Sequence, residues 1–216
     1  MQHSILQYRL FRVIWTGIIT VITIALLLPS ALLGQPTDTK NISRIFTLSI
    51  PSANGTEFSF DLLRKNKASV LIFLSESCPI CRKYTLALRA LHTQFSEKNI
   101  GFYGVFPSPF IVTDSVKSYV NVFKLGFPML IDSNQAITRL VNARITPEVV
   151  VISSEGIVQY QGRIDNLFAA VGKQRAIATT HELSDVLTAI SSDTAIPTFR
   201  NYEPVGCFIE LIKQKK

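Results

Sequence analysis

Residues 69–81 read SVLIFLSESCPIC, an apolar run of strand length followed by two cysteines that are separated by two residues. The continuous run Ser69–Leu74 predicts a strand that is buried on both faces. Over Pro79–Phe95 the apolar residues recur at helical spacing, which predicts a helix with one apolar side. Cys78 and Cys81 therefore fall where a buried strand ends and a helix begins.

The sequence on either side of this junction alternates between predicted strands and helices. Asn54–Gly55 predicts the turn of an opening hairpin, and the Ser-Glu-Gly sequence at 154–156 predicts that of a closing one. The remaining predicted elements are strands at 46–50, 58–60 and 100–106, a helix at 113–123, a short apolar stretch at 127–131, a helix at 135–141, strands at 149–152 and 157–161, and a helix at 181–190. This order predicts an α/β fold with a mixed central sheet and helices on both of its faces.

Length and composition fit one domain with an appendage. The chain has 216 residues, of which 47% are hydrophobic and 17% charged, so it is neither disordered nor fibrous. The net charge of +7 falls to +5 without Arg9 and Arg12, and no dense run of Lys and Arg is interleaved with aromatic residues. Nucleic acid is therefore not a predicted partner. Three cysteines are too few for a disulfide scaffold and enough for one redox pair.

Residues 1–35 have the pattern of a segment for export. The 25 residues from Val13 to Thr37 carry no formal charge, and a helix over Val13–Leu33 would be about 30 Å long, which matches the hydrocarbon core of a bilayer. We expect one N-terminal transmembrane or signal helix. We favour an uncleaved anchor, because no clean small-x-small cleavage site follows the apolar run. Arg9 and Arg12 favour an N-terminus on the inner side, which places the rest of the chain in an oxidising compartment.

Cys78 is the predicted nucleophile. At the start of a helix it faces unpaired N–H groups and the positive end of the helix dipole, which stabilise a thiolate and lower its pKa below the free value of about 8.5. Cys81 lies one turn inside the helix, where it is placed to attack a mixed disulfide formed at Cys78.

Structural and metal-binding roles explain the pair less well. A disulfide between Cys78 and Cys81 would contribute about 2 kcal/mol in the chain-entropy model, against about 5 kcal/mol for a link from Cys81 to Cys207. Zinc needs four ligands, and the sequence has no second CxxC and no His-x₃-His motif. Arg82 stands where a haem-attachment motif requires His. We therefore predict dithiol chemistry with neither metal nor cofactor.

The strand–CPIC–helix unit, the segment ITPEVVV at 145–151 and the turn at 154–156 together resemble the thioredoxin-like superfamily. The similarity extends from Phe58 to Glu210 and is to exported bacterial redoxin-domain proteins, akin to membrane-anchored thiol–disulfide oxidoreductases and to peroxiredoxins. We accordingly expect a signal anchor or signal peptide over 1–35, a linker over 36–45, a thioredoxin-like redoxin domain over 46–212 and a basic tail over 213–216. The implied location is the bacterial cell envelope, with the anchor in the inner membrane and the domain in the periplasm.

The resemblance also implies a substrate-binding loop. It implies a cis peptide bond before Pro147, in a loop that lies against the CxxC disulfide and pairs with an extended substrate. Thr146, Pro147 and Glu148 are then the substrate-binding residues. Two positions depart from the thioredoxin pattern, because Ser77 replaces a Trp and Ile72 replaces a buried Asp.

The predicted function is that of a membrane-tethered, extracytoplasmic thiol–disulfide oxidoreductase that uses Cys78 and Cys81. Its partners would be exported proteins as substrates and a membrane or soluble thiol as electron donor.

An alternative is a thiol peroxidase with Cys78 as the peroxidatic cysteine. Ser75 matches the Thr/Ser of that motif, but Leu71 replaces its Pro, and Arg144 is the candidate to polarise a peroxide.

Two further questions remain open at this point. Soft thiolates also suit Cu(I), so a copper carrier that adds a distant His92 or His181 to the two cysteines is a third interpretation. Cys207 is a possible third thiol, able to reach Cys78 or a partner protein, or a small buried apolar residue under the C-terminal tail. Gly206 indicates a close approach of the backbone there.

We predict that Cys207→Ser leaves the dithiol–disulfide couple of the CPIC motif intact, because the two sulfurs of that motif form a disulfide without a third. Mass mapping of the oxidised variant checks this expectation. Loss of the couple would make Cys207 part of the site.

Overall fold

The computed structural model describes residues 40–199 and 202–213. The predicted transmembrane or signal helix lies outside these residues. Among the residues described, no helix is both long enough and apolar enough to cross a bilayer.

A mixed sheet forms the centre of the fold. The strands are β1 Ser49–Pro51, β2 Glu57–Ser59, β3 Ala68–Phe73, β4 Ile100–Phe106, β5 Met129–Ile131, β6 Ile145–Thr146, β7 Glu148–Ser153, β8 Val158–Gly162, β9 Phe168–Ala170, β10 Lys173–Gln174 and β11 Cys207–Phe208. Five of them form the central sheet in the order β5-β4-β3-β7-β8. Strands β3, β4 and β5 are parallel, whereas β7 is antiparallel to both β3 and β8. The predicted mixed sheet is confirmed.

Helices cover both faces of this sheet. The described α-helices are α1 Pro79–Phe95, α2 Thr113–Phe123, α3 Ala136–Val141 and α4 Glu182–Ser191. Short 3₁₀ helices lie at Ser43–Thr47, Phe60–Lys65 and Ser96–Lys98. α1, α2 and α4 contribute to one hydrophobic core, whereas α3 and the first two 3₁₀ helices contribute to a second.

Strand β3 separates these two cores. Val70 and Ile72 pack into the core under α1, α2 and α4, whereas Leu71 and Phe73 pack into the other. This alternation follows from the pleat of a strand, which turns successive side chains to opposite faces. All six residues of β3 are buried, so its carboxyl end is a rigid base for the cysteines that follow.

The opening hairpin begins later than the alternating pattern predicts. β1 pairs with β2 around the expected turn, but Ser43–Thr47 is a 3₁₀ helix rather than the start of a strand. Ile45 and Phe46 are consecutive and both buried in the core that also contains Phe60. Consecutive residues of a strand point to opposite faces, so a helical turn is needed to bury both on the same side.

A buried ion pair fixes the start of α4. Arg163 Nη2 lies 2.5 Å from Glu182 Oε1, and the two side chains are only 14% and 3% exposed. The Thr180 hydroxyl donates to the same carboxylate oxygen at 2.7 Å. Burial alone would raise the pKa of Glu182, but hydrogen bonds from Arg163 and Thr180 outweigh it, so the pKa is lowered overall.

Candidate active site

Cys78 stands at the junction between β3 and α1. It is the N-cap residue of α1, with Pro79 in the first helical turn. Pro suits that position because its missing N–H would have no partner there. The Cys78 N–H donates to the Ser75 carbonyl at 3.2 Å, and its own carbonyl accepts from the Arg82 N–H at 3.3 Å. The backbone of a tight turn and of a helix start therefore fixes where the sulfur points.

The two sulfurs of the CPIC motif differ strongly in acidity. Hydrogen bonding from Cys81 lowers the pKa of Cys78 to about 5, with help from Cys207 and from the backbone N–H groups of Ile80 and Cys81, against the effect of burial. Burial raises the pKa of Cys81 well above its usual value, and the hydrogen bond to Cys78 and the charge of that thiolate act in the same direction. Near neutral pH the site thus holds one thiolate and one protonated thiol.

A cis-proline loop lies against Cys78. The Thr146–Pro147 peptide bond is cis, as the thioredoxin resemblance implied. The Cys78 sulfur is 3.3 Å from the Thr146 carbonyl oxygen, to which it donates a hydrogen bond when protonated. Thr146 and Pro147 are therefore placed where the sequence predicted a substrate-binding loop.

The Glu148 side chain, unlike Thr146, makes its hydrogen bonds away from the sulfurs. Its buried carboxylate accepts hydrogen bonds from the backbone N–H groups of Arg144 and Ile145, at 2.9 and 3.3 Å. The other oxygen accepts from the Gln161 side-chain amide at 2.7 Å. These bonds fix the loop that precedes Pro147, so in this state Glu148 contacts its own chain.

Cys207 belongs to the same cluster of sulfurs. β11 pairs antiparallel with β6, and this pairing sets Cys207 opposite Thr146. The Cys207 thiol donates to the Cys78 sulfur, with a separation of 2.7 Å between the two atoms. Burial raises the pKa of Cys207 to about 11, and its bond to the neighbouring thiolate adds to the shift. Cys207 is thus a protonated thiol in direct contact with the sulfur of Cys78.

Tyr119 of α2 is a neighbour that sequence reasoning missed. Its phenol is buried and has no hydrogen-bond partner among the residues that the structure describes. Burial raises its pKa, and the nearby sulfurs of Cys81 and Cys78 raise it further when they are ionised. In the sequence, Tyr119 appears as one apolar position of a helix, and nothing in that pattern points to the cysteines.

A cavity of about 280 Å³ opens beside the sulfurs. It lies between the turn after β3, the loop after β4 and the tail that contains β11. Its lining residues are Leu74, Ser75, Glu76, Ser77, Phe106, Pro107, Ser108, Pro109, Phe110, Ile111, Thr146, Cys207, Phe208, Ile209 and Glu210. Phe110 and Phe208 are largely exposed at its edge, so apolar surface flanks the approach to the site.

Among the described residues, neither His92 nor His181 is grouped with the cysteines. His92 is near the far end of α1, about 20 Å from Cys78 along the helix axis, and it packs on the rings of Phe102 and Phe127. His181 precedes α4. Within 40–199 and 202–213, no group of three or more His, Cys, Asp and Glu side chains is arranged to hold a metal ion. The described residues therefore do not assemble a copper site of two thiolates and a histidine.

The sequence model of the AhpC/TSA family matches residues 43–161. The comparison with curated proteins found no match.

Solved structures with similar folds come from several bacteria. A hypothetical protein SMc02350 from Sinorhizobium meliloti 1021 is 20% identical, with a TM-score of 0.67 over 75% of this chain and 89% of that one. An uncharacterized conserved protein from Geobacillus kaustophilus is 18% identical, with a TM-score of 0.69 over 78% and 90%. A secreted Mycobacterium tuberculosis disulfide oxidoreductase homologous to Escherichia coli DsbE is 18% identical, with a TM-score of 0.51 over 69% and 98%. At these identities the likeness is one of fold.

Proposed function

The chain belongs to the AhpC/TSA family, and from that premise we propose that Cys78 and Cys81 are the redox pair of a thiol–disulfide oxidoreductase that acts on exported proteins. Membership of this redoxin family confirms the resemblance to thioredoxin-like proteins and the predicted class of enzyme, a thiol–disulfide oxidoreductase. The finer proposal rests on one observation. The Cys78 sulfur lies at the start of a helix, 3.3 Å from the Thr146 carbonyl oxygen of the cis-proline loop, with its pKa lowered to about 5 by hydrogen bonding from Cys81.

The proposed reaction proceeds by two exchanges. The Cys78 thiolate attacks one sulfur of a substrate disulfide, a bond forms between those two sulfurs, and the second substrate sulfur leaves as a thiolate. The Cys81 thiol then gives its proton to that departing thiolate, and the Cys81 sulfur attacks the Cys78 sulfur. The mixed disulfide breaks, the Cys78–Cys81 disulfide forms, and the substrate leaves with both of its sulfurs reduced. An external thiol, the proposed electron donor, restores the dithiol by the reverse exchanges.

The proposed location rests on the N-terminal sequence. The uncharged stretch from Val13 to Thr37 is long enough for a membrane anchor, and an exported domain would meet substrates that carry disulfides. Protease protection of intact cells and of cells with a permeabilised outer membrane tests this placement. Digestion only after permeabilisation supports a periplasmic domain, whereas protection in both samples would contradict it.

A thiol peroxidase is the second candidate. The family match and the depth of Cys78, which is 1% exposed, favour a small oxidant such as a hydroperoxide. The Arg144 side chain is exposed on the surface rather than buried beside the sulfur. Comparing turnover of hydrogen peroxide with reduction of a protein disulfide by the same reduced sample decides between the two functions.

We expect Cys78 to titrate with a midpoint near pH 5, well below the pKa of about 8.5 of a free thiol. Raising the pH through about 5 then converts the thiol into the reactive thiolate, and exchange reaches its plateau below neutral pH. The measurement is the ultraviolet absorbance of the thiolate in the reduced protein minus that of Cys78→Ser. Absorbance reports ionisation without requiring a reagent to reach a buried sulfur. A midpoint near that of a free thiol, about 8.5, would remove the basis of the proposal.

A further inference from the structure

Strand β11 occupies the edge of the cis-proline loop. Cys207 pairs with Thr146 and Phe208 with Ile145, in antiparallel register. The Thr146 hydroxyl also donates to the Cys207 carbonyl at 3.4 Å. An extended peptide that docked on this edge would use the same backbone groups of β6. The chain thus places one of its own segments, with a cysteine in it, where the proposed substrate would pair.

This segment is attached to the domain on both sides of Cys207. On one side the Tyr202 carbonyl accepts from the Arg163 N–H at 2.9 Å, and on the other the Ile209 N–H donates to the Arg144 carbonyl at 2.8 Å. Cys207 is therefore held at the nucleophile by bonds that do not involve its own side chain.

Gln135 holds the end of the segment. It is fully buried, and its backbone lies in the left-handed region with φ 56°. Its side-chain amide donates to the Glu210 carbonyl at 2.6 Å and accepts from the Ile212 N–H at 2.9 Å. Arg139 also donates to the Ile212 carbonyl. A buried amide that bonds the backbone of the tail on both sides of Leu211 is a fixed attachment point.

From these contacts we propose that residues 202–212 are an internal substrate, and that Cys207 forms a disulfide with Cys78 during turnover. The proposal rests on the proposed function, because it assigns a third thiol to the same exchange chemistry. The antiparallel pairing of β11 with β6 holds the Cys207 sulfur 2.7 Å from that of Cys78, in contact with the atom that it would attack.

The proposed step exchanges one disulfide of Cys78 for another. A mixed disulfide first joins Cys78 to a substrate sulfur. Cys207 attacks the Cys78 sulfur, its thiol proton passes to the departing substrate thiolate, and the Cys78–Cys207 disulfide replaces the mixed one. Cys81 then attacks Cys78 and forms the Cys78–Cys81 disulfide, and Cys207 recovers its proton. The substrate receives two electrons in all. They come from Cys78 and Cys207 while that disulfide lasts, and from Cys78 and Cys81 once the final disulfide has formed.

The test uses the full chain with Cys81→Ser, so that Cys207 is the remaining partner for Cys78. The reduced variant is treated with oxidised glutathione, a small disulfide, and its cysteines are mapped by mass spectrometry over time. We expect Cys78 to lose its glutathione and to appear linked to Cys207, at a rate that does not depend on protein concentration. With Cys81→Ser and Cys207→Ser together, the glutathione stays on Cys78. Equal persistence in both variants overturns the proposal.

A glycine substitution tests whether the pairing of β11 with β6 positions Cys207, in a chain that keeps both Cys78 and Cys207. A Cβ at position 206 would overlap the Thr146 carbonyl, so Gly206→Ala in the Cys81→Ser background must shift β11 away from β6. We expect closure of the Cys78–Cys207 disulfide to slow by about 10²-fold. Gly126→Ala is the matched control, because its added Cβ would make an ordinary contact of 3.6 Å with His92. Equal rates for the two variants contradict a built-in register. If Gly206→Ala fails to fold, the comparison of the cysteine variants still decides.

Failure of this inference is distinguishable from failure of the proposed function. Formation of the Cys78–Cys81 disulfide and reduction of a protein disulfide report on the proposed function. Formation of the Cys78–Cys207 disulfide in the Cys81→Ser variant reports on the internal substrate. A protein that shows the first two and not the third retains its function and lacks the third redox thiol.

Discussion

Replacing Cys78 with serine will lower the rate of disulfide exchange by about 10³-fold or more. The hydroxyl of serine stays protonated in surroundings that ionise the cysteine, whose pKa is lowered to about 5. Oxygen also cannot form the sulfur–sulfur bond on which both proposed exchanges depend. The remaining thiols do not compensate, because burial holds the pKa values of Cys81 and Cys207 above the usual value.

Reduction of a protein disulfide under excess small thiol measures this loss. Ser77→Ala is the neighbouring control. That side chain is exposed and bonds only the Ser75 hydroxyl at 2.9 Å among the described contacts, so we expect its rate to change little. If Cys78→Ser retained a tenth or more of the activity, the substitution would have raised the activation free energy by no more than about 1.4 kcal/mol. Another residue would then be the nucleophile.

The largest effect on stability is expected for Glu182→Ala, which should lower the free energy of unfolding by about 3–5 kcal/mol. The substitution leaves the Arg163 guanidinium, at 14% exposure, without the carboxylate that compensates its burial. The pKa of Glu182 is lowered in the folded protein, so the carboxylate stabilises the fold above its unfolded pKa. That contribution is lost as the pH falls through the folded pKa.

Urea denaturation of the wild type and the variant measures this difference. Asp61→Ala is the control, because the Arg64–Asp61 pair is 51% and 69% exposed and should contribute less than about 1 kcal/mol. At acidic pH, where Glu182 becomes protonated in the wild type, the gap between Glu182→Ala and the wild type should narrow. Equal effects of the two substitutions at neutral pH would show that the Arg163–Glu182 pair does not stabilise the fold.

Local sequence patterns predicted the elements that carry the CPIC pair. The apolar run after residue 68 becomes β3, and the helical spacing over 79–95 becomes α1 with the same bounds. The strand at 100–106 and the helix at 113–123 also agree with the structure. These segments are long and strongly periodic, and a proline in the first turn marks where α1 starts. Such signals are contained within a single stretch of chain.

The pairing of β11 with β6 has no such local signal. Each strand is two residues long and too short to show a period, and 61 residues separate Thr146 from Cys207. Gln135 illustrates the same limit, because it was predicted within a helix and instead precedes α3 with a left-handed backbone. The contacts that hold the tail are between residues far apart in the sequence, so the role of Cys207 remained open until the fold placed its sulfur.

The contact between the sulfurs of Cys207 and Cys78 affects how partner proteins should be captured from cells. If Cys207 attacks Cys78 as proposed, affinity purification with a bait that lacks only Cys81 would lose any covalently attached partner, because that attack would release it. A bait in which both Cys81 and Cys207 are serine keeps the attachment through washing and gel separation. The doubly substituted chain is therefore the appropriate reagent for testing whether exported proteins form mixed disulfides with Cys78, as we propose.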